Sequence, residues 1–260
     1  MTNLGDLPDF SLNNRLALVT GSTQGLGLVI AKAYAASGAR VVINGRNPDH
    51  VARAVAALSS QGCLAYPFVH DIARLDTQEA AYAQLCAQIG VPDILVNNVG
   101  IRIRKTLGEA SLAEIVELVN VDLIAGVHLS KLAAQAMAKS AAAGRIITMT
   151  SIAGELARAG DAIYPIAKQG LSGMVRALAV EYGPKAITSN GIAPGTFATE
   201  ANAQLVDDPL KSKRVVGRNP LGRWGRPSEI AGAAVFLASP AASYVNGHIL
   251  VVDGGFSITF

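Results

Sequence analysis

An apolar run, Leu16–Val19, passes straight into Thr20-Gly21-Ser22-Thr23-Gln24-Gly25-Leu26-Gly27, where helical spacing of apolar residues begins. A strand that turns at once into a helix leaves few choices of fold. Gly21 permits the tight turn, Gly25 lets backbone approach a pyrophosphate, and Gly27 lets the helix pack close to the strand. The head of that helix offers unpaired N–H groups and the positive end of its dipole to an anion. The glycines alone would also suit a flexible turn with no ligand. Their place between a first strand and a helix argues against that.

The rest of the chain repeats the plan. Apolar runs at Arg40–Ile43, Cys63–Phe68, Ile94–Val96, Arg145–Met149, Ile187–Ile192 and His248–Val252 read as strands. Longer segments with helical spacing lie between them, such as Leu26–Ser37 and Ile230–Leu237. This alternation implies βαβ units and a parallel sheet with helices on both faces. Near-continuous apolar strands agree, because parallel strands are buried on both sides. The expected fold is α/β: a single doubly wound Rossmann domain over residues 1–260, with seven parallel strands. No linker, repeat or charge block divides it. Gly195–Gly222 has little apolar periodicity and carries Lys211, Lys213, Arg214 and Arg218. A connection that long suits a substrate lid, at about residues 195–222, and a permanently ordered helical hairpin is the alternative.

Composition excludes several classes. Half the 260 residues are hydrophobic and 16% are charged, so the chain is not disordered. A net charge of +3 does not suggest nucleic acid as a partner, although a pI near 8.9 tolerates anionic ligands. Cys63 and Cys86 are too few for a disulfide framework or a structural zinc site, and fit a reducing compartment. No metal is expected, and His70 and His128 read as structural. The start, MTNLGDLPDFSLNNR, lacks a basic segment followed by an apolar one, and no apolar run is long enough for a membrane span. A soluble cytoplasmic protein is expected, with no membrane partner.

The glycine spacing is GxxxGxG rather than GxGxxG. It resembles the cofactor turn of the short-chain dehydrogenase/reductase family, and the resemblance runs from about Leu12 to Gly255. It implies that Gly21, Ser22, Thr23, Gln24, Gly25, Leu26 and Gly27 bind a nicotinamide dinucleotide. Asp71-Ile72 matches the position that holds the adenine in similar proteins. Asn97-Asn98-Val99-Gly100 matches the family's NNAG motif, with Asn98 bracing the central sheet and lining the cofactor cleft beside Gly100. Pro194-Gly195 resembles the family's PG turn towards the nicotinamide, with Phe197 and Thr199 at its carboxamide end.

The end of the second strand bears on which dinucleotide is bound. NAD sites usually place an acidic residue there, and the nearest carboxylate is Asp49. Arg46 stands instead where its guanidinium can fork onto a 2′-phosphate, which favours NADP(H).

Ser151, Tyr164 and Lys168 match the family's Ser…Tyr-x-x-x-Lys set. On a helix, Tyr164 and Lys168 share a face. Reduction of a ketone creates an alkoxide that needs a nearby proton donor. A free tyrosine titrates at about 10, and a neighbouring ammonium favours its phenolate. The resemblance also gives Lys168 and Tyr164 contact with the nicotinamide ribose, and has Ser151 orient the carbonyl oxygen. Pro165 suits the first turn of a helix that begins near Tyr164. The family's catalytic Asn, which anchors a water in the proton relay, falls by ungapped counting on Asp122. Asn120 is the alternative.

The substrate is left open by the fold. Asn44-Gly45-Arg46, Gly222-Arg223-Trp224-Gly225 and Val245-Asn246-Gly247-His248 are similar to gluconate 5-dehydrogenases within the family. Arg102 and Arg104, near the expected cleft mouth, suit a sugar-acid carboxylate; surface charge that aids solubility is the plainer account. Glu155 and Arg158 follow Ser151 near the same mouth. The activity implied is hydride transfer between NADP(H) and a ketone or secondary alcohol such as gluconate. The alternatives are a 3-oxoacyl-(acyl-carrier-protein) or xenobiotic ketone reductase and, in a different class, a non-catalytic dinucleotide-binding scaffold. The apolar run Ser243–Val252 exceeds what a sheet edge should leave bare, so a homotetramer is expected.

Overall fold

The computed structural model describes residues 8–140 and 143–259. Residues 1–7, part of the N-terminal segment assessed for a signal sequence, lie outside the described residues. Seven strands form one sheet: β1 (Leu16–Val19), β2 (Arg40–Gly45), β3 (Ala65–Val69), β4 (Ile94–Asn97), β5 (Gly144–Met149), β6 (Ile187–Pro194) and β7 (Ile249–Val252). Their order is β3-β2-β1-β4-β5-β6-β7, with every neighbouring pair parallel. The expected third strand starts at Ala65 rather than Cys63, because Ala65 is the first residue in register with Val41.

The helices are α1 (Gly25–Ala36), α2 (Pro48–Ser59), α3 (Leu75–Ile89), α4 (Leu112–Val119), α5 (Ala125–Ser140), α6 (Ile163–Tyr182), α7 (Ala203–Val206), α8 (Pro209–Val216) and α9 (Ala231–Ala238). Strand side chains alternate between two cores, as the two-residue period demands. Ala17, Val19, Val41, Ile43, Ile94 and Val96 pack with Ile30 and Tyr34 of α1, Leu58 of α2 and Leu237 of α9. Leu16, Leu18, Val42 and Leu95 face the other way, onto Leu85 of α3 and Leu129 and Met137 of α5. Burying both faces accounts for the unbroken apolar runs.

Sheet order reverses at β1, which lies between β2 and β4. The crevice beyond the C-terminal ends of β1 and β4 is where doubly wound sheets bind ligands. Between α4 and α5 the chain makes one wide π-helical turn, Asn120–Ile124. Such turns often occur at functional sites.

Gly195–Gly222 is more regular than its sequence suggests, since it contains α7 and α8. Local capping explains the second: Asp208 accepts from the N–H groups of Leu210 and Lys211 at 3.1 and 3.0 Å, and Pro209 follows it. Trp224 Nε1 donates to Ser212 Oγ at 2.7 Å, and Arg218 donates to the Thr259 carbonyl at 2.7 Å. Leu210 is nonetheless 81% exposed. Among the described residues no helix is long and apolar enough to cross a membrane.

Candidate active site

The glycine turn joins β1 to α1 at the crevice. Gly21 and Gly25 have φ of 59° and 58°, in the left-handed region that favours glycine. A Cβ on Gly27 would fall 2.5 Å from Asn98 Nδ2 and 2.6 Å from the Gly21 carbonyl oxygen, so only glycine lets α1 pack this close. Gln24 heads α1 without a side-chain cap, and the first turn carries no acidic residue. Those free N–H groups fit a pyrophosphate. Thr23 and Leu26 flank the turn half-buried, and Ser22 is buried.

Two asparagines hold this turn in place. Asn98 donates from its N–H to Thr20 Oγ1 at 2.8 Å, and from Nδ2 to the carbonyls of Thr20 and Gly21 at 3.0 and 3.2 Å. Asn98 thus joins the ends of β1 and β4. Bracing β4 against α5 and β5 falls to its neighbour, since Asn97 Nδ2 donates to Ser130 Oγ at 2.8 Å and lies 3.5 Å from Thr148 Oγ1. Asn44 was not singled out for this role from the sequence. Buried at the end of β2, it accepts from Gly21 N–H at 3.1 Å and donates from Nδ2 to the Phe68 and His70 carbonyls at 3.0 Å. A polar residue closing an apolar strand was the available signal, because buried amides need partners.

At the outer end of the crevice Arg46 is 78% exposed, and its Nη1 lies 3.9 Å from Asp71 Oδ2. That spacing leaves the guanidinium largely free, and no carboxylate ends β2, as a 2′-phosphate site requires. Asp71 also accepts from Ala73 N–H at 3.0 Å, and Ile72 is buried beside it. His128 Nδ1 lies 2.6 Å from Gln78 Oε1, and the His70 ring stacks on Phe68 at 5.7 Å.

At the inner end Lys168 is buried. Its Nζ lies 3.3 Å from Asp122 Oδ2 and donates to the Met149 carbonyl at 3.3 Å. Asp122 also accepts from Ile101 N–H at 2.6 Å. Burial pushes the Asp122 carboxyl above its ordinary value, against the Lys168 charge and the Ile101 N–H. A Cβ on Gly100 would come within 2.8 Å of Asp122 Oδ2, so glycine there clears space for the pair. Asn120 points elsewhere: its Nδ2 donates to the Ala73 carbonyl at 3.1 Å. Of the two candidates, Asp122 stands beside the lysine.

Helix α6 begins at Ile163, so Pro165 falls in its first turn, where proline is tolerated. Tyr164 is half-buried, with Lys168 Nζ 5.4 Å from its ring centre. The Arg102 guanidinium lies 4.6 Å from the same ring centre. Arg102 donates from Nε, at 2.9 Å, and from Nη2 to one oxygen, Oδ2, of buried Asp161. Ser151 follows β5 and caps a short turn, Ile152–Gly154, by accepting from Ala153 N–H at 3.1 Å. That turn packs on α6: a Cβ on Gly154 would lie 3.3 Å from Gln169 N.

Beyond β6 the chain bends at Pro194-Gly195, where a Cβ on Gly195 would strike Asp253 at 2.6 Å. Thr199 is half-buried there. The Phe197 ring is 5% exposed and packs on Gly225, so little of it can meet a nicotinamide. The sequence could not show this, because an aromatic residue after a turn suits a cleft wall and a core equally.

Known proteins are similar to this chain in sequence and fold. The family described as enoyl-(acyl carrier protein) reductase matches residues 21–257. Gluconate 5-dehydrogenase of Gluconobacter oxydans is 38% identical over 97% of this chain and 98% of its own. 2-Dehydro-3-deoxy-D-gluconate 5-dehydrogenase of Formosa agariphila is 38% identical over 96% of this chain and 95% of its own. The crystal structure of a gluconate 5-dehydrogenase from Burkholderia cenocepacia, in complex with NADP and tartrate, matches with a TM-score of 0.93. It is 37% identical and covers 96% of this chain and 98% of that one.

Proposed function

The chain belongs to the short-chain dehydrogenase/reductase family, and from that premise we propose that it interconverts a ketone and a secondary alcohol with NADP(H), a sugar acid of the gluconate type being the substrate. The observation that carries this reading is the convergence of Tyr164, Lys168 and Asp122 at the crevice that the glycine turn opens. The relatives named for gluconate, and the one solved with NADP and tartrate, support both cofactor and substrate class.

NADP(H), when bound, supplies or takes up the hydride. Gly21–Gly27 would hold its pyrophosphate, Arg46 its 2′-phosphate, and Asp71 with Ile72 its adenine. Asn98, Gly100, Pro194, Gly195, the Phe197 backbone and Thr199 would line its nicotinamide end. Ser151 hydrogen-bonds the substrate oxygen and orients it. Tyr164 gives that oxygen a proton in reduction and takes it back in oxidation, a role usually contributing about 10²- to 10⁴-fold. Lys168 would hold the ribose, and it places positive charge against the Tyr164 ring. Asp122 fixes Lys168 and replaces the family's Asn with an acceptor that has no N–H₂ to donate.

NADPH consumption by the purified protein with a panel of ketones tests this. The panel contains 5-ketogluconate, a 3-oxoacyl thioester and simple aryl ketones. Preference for 5-ketogluconate is expected. Preference for the thioester would move the substrate to the acyl-carrier class, and no turnover of any ketone would favour a dinucleotide-binding scaffold.

The reading includes a cytoplasmic homotetramer. Val251 on edge strand β7 is 41% exposed, and Leu112 and Val116, one turn apart on α4, are 75% and 59% exposed. Apolar side chains in those places suit subunit contacts. Light scattering that returns the 26.8 kDa monomer mass at micromolar concentration would overturn the tetramer.

A further inference from the structure

We propose that Asp122 acts on the proton donor through Lys168: its carboxylate cancels the lysine charge, so that Tyr164 keeps its phenol form, the form that protonates a ketone, further into the alkaline range. This rests on the reading of Tyr164 given above, and makes Asp122 a positioning residue that works by charge. The geometry is that of a buried ion pair. Asp122 Oδ2 lies 3.3 Å from Lys168 Nζ, and the side chains of Lys168 and Asp122 are 5% and 0% exposed. Salt screens a buried pair far less than a surface one. Lys168 Nζ lies 5.4 Å from the Tyr164 ring centre. A lone ammonium in that place would favour the phenolate. With a carboxylate against the ammonium, the two opposite charges largely cancel at the ring.

Asp122 is held in this role from both sides. Its Oδ1 accepts from the Ile101 N–H at 2.6 Å, and that N–H and Lys168 both favour the charged carboxylate against burial. The Asn that similar proteins carry here could accept from Ile101 in the same way, but an amide would leave the Lys168 charge unopposed. The other charged groups around Tyr164 do not restore the charge. Arg102, 4.6 Å from the ring centre, is itself paired with buried Asp161. On the same loop Lys105 pairs with Glu114 of α4 at 2.6 Å, and Arg104 is exposed. Leu118 of α4 and Leu123 of the π-helical turn pack beside Tyr164 as apolar groups. The end of β5 contributes the Met149 carbonyl and then Ser151, and Glu155 and Arg158 beyond it are exposed. Both cations against the Tyr164 ring thus carry a buried carboxylate of their own.

The experiment records kcat/KM for ketone reduction against pH, with NADPH saturating. A general acid works only while protonated, so this rate falls on the alkaline side as the donor ionises. In Asp122→Asn the midpoint of that fall should move to lower pH by about one pH unit or more, because the lysine charge is left unopposed. Asp122→Ser is smaller and also uncharged, and should move the midpoint the same way if the amide disturbs the packing. Tyrosinate absorbance gives a second readout that needs no turnover. Subtracting the titration of the matching Tyr164→Phe protein isolates Tyr164, and its absorbance should rise at lower pH in Asp122→Asn than in the wild type. A midpoint that stays in place or moves up in a folded variant would overturn the inference, even where kcat falls. Should the wild type turn over no ketone, the proposed reaction fails, and the absorbance difference still decides whether Asp122 sets the charge at Tyr164.

Discussion

Asp122 Oδ2 lies 3.3 Å from Lys168 Nζ, and both side chains are almost wholly buried. A carboxylate therefore sits against the residue proposed to support the proton donor. Burial raises the Asp122 carboxyl, and Lys168 opposes that rise without cancelling it. The sign follows from linkage. A group raised on folding contributes stability that is fully present below its unfolded value, about 4 for Asp, and lost as pH rises through its folded value. Asp122→Asn has no such loss. Its melting temperature minus that of the wild type should climb as pH rises above about 4 and then level. A flat or falling difference would mean that the pairing with Lys168 outweighs burial.

Tyr164→Phe keeps the ring that Arg102 and Lys168 flank and removes only the hydroxyl. Turnover should fall by roughly 10²- to 10⁴-fold. NADPH affinity, read by fluorescence titration, should stay within a few-fold. A kcat near wild type would end the assignment of Tyr164 as proton donor.

Arg46→Ala tests cofactor choice. The guanidinium lies far enough from Asp71, at 3.9 Å, to turn onto a phosphate. Loss of a charged hydrogen bond should weaken NADPH about 10- to 100-fold and leave NADH nearly unchanged. Calorimetric titration with both cofactors separates the outcomes, and equal weakening of the two would show that Arg46 does not read the 2′-phosphate.

Hydrogen exchange across Gly195–Gly222 tests whether α7 and α8 form a lid. Leu210 and most of the basic side chains there face solvent, while Trp224 and Thr259 tie the segment to its surroundings. Closure over a substrate would slow exchange when NADP⁺ and a substrate analogue are both present. Protection that is already complete in the free protein would assign the segment to the permanent scaffold.

These tests follow the line between what the sequence carried and what only packing decided. Leu16–Val19 with its glycines, and Tyr164 with Lys168, were legible because backbone turns and helical faces follow local rules. The choice between Asp122 and Asn120 was not. Both sit in a π-helical turn, which winds more residues per turn than an α-helix and so breaks the relation between spacing and facing. The pairing of Arg102 with Asp161 joins residues 59 positions apart, and no periodicity encodes it. Helix α8 was hidden because its start depends on Asp208 and Pro209 rather than on an apolar stripe.

Asn44 has a consequence for how tightly a dinucleotide can be held. One buried amide fastens the glycine turn to the end of β2 and to the chain leaving β3. The surfaces proposed to meet the phosphates and the adenosine are thereby joined into one preorganised body. A ligand bridging them loses its own freedom on binding but need not also freeze the protein's. Asn44→Ala should accordingly weaken NADPH and NADH alike, unlike Arg46→Ala, with the loss appearing mainly as a less favourable binding entropy.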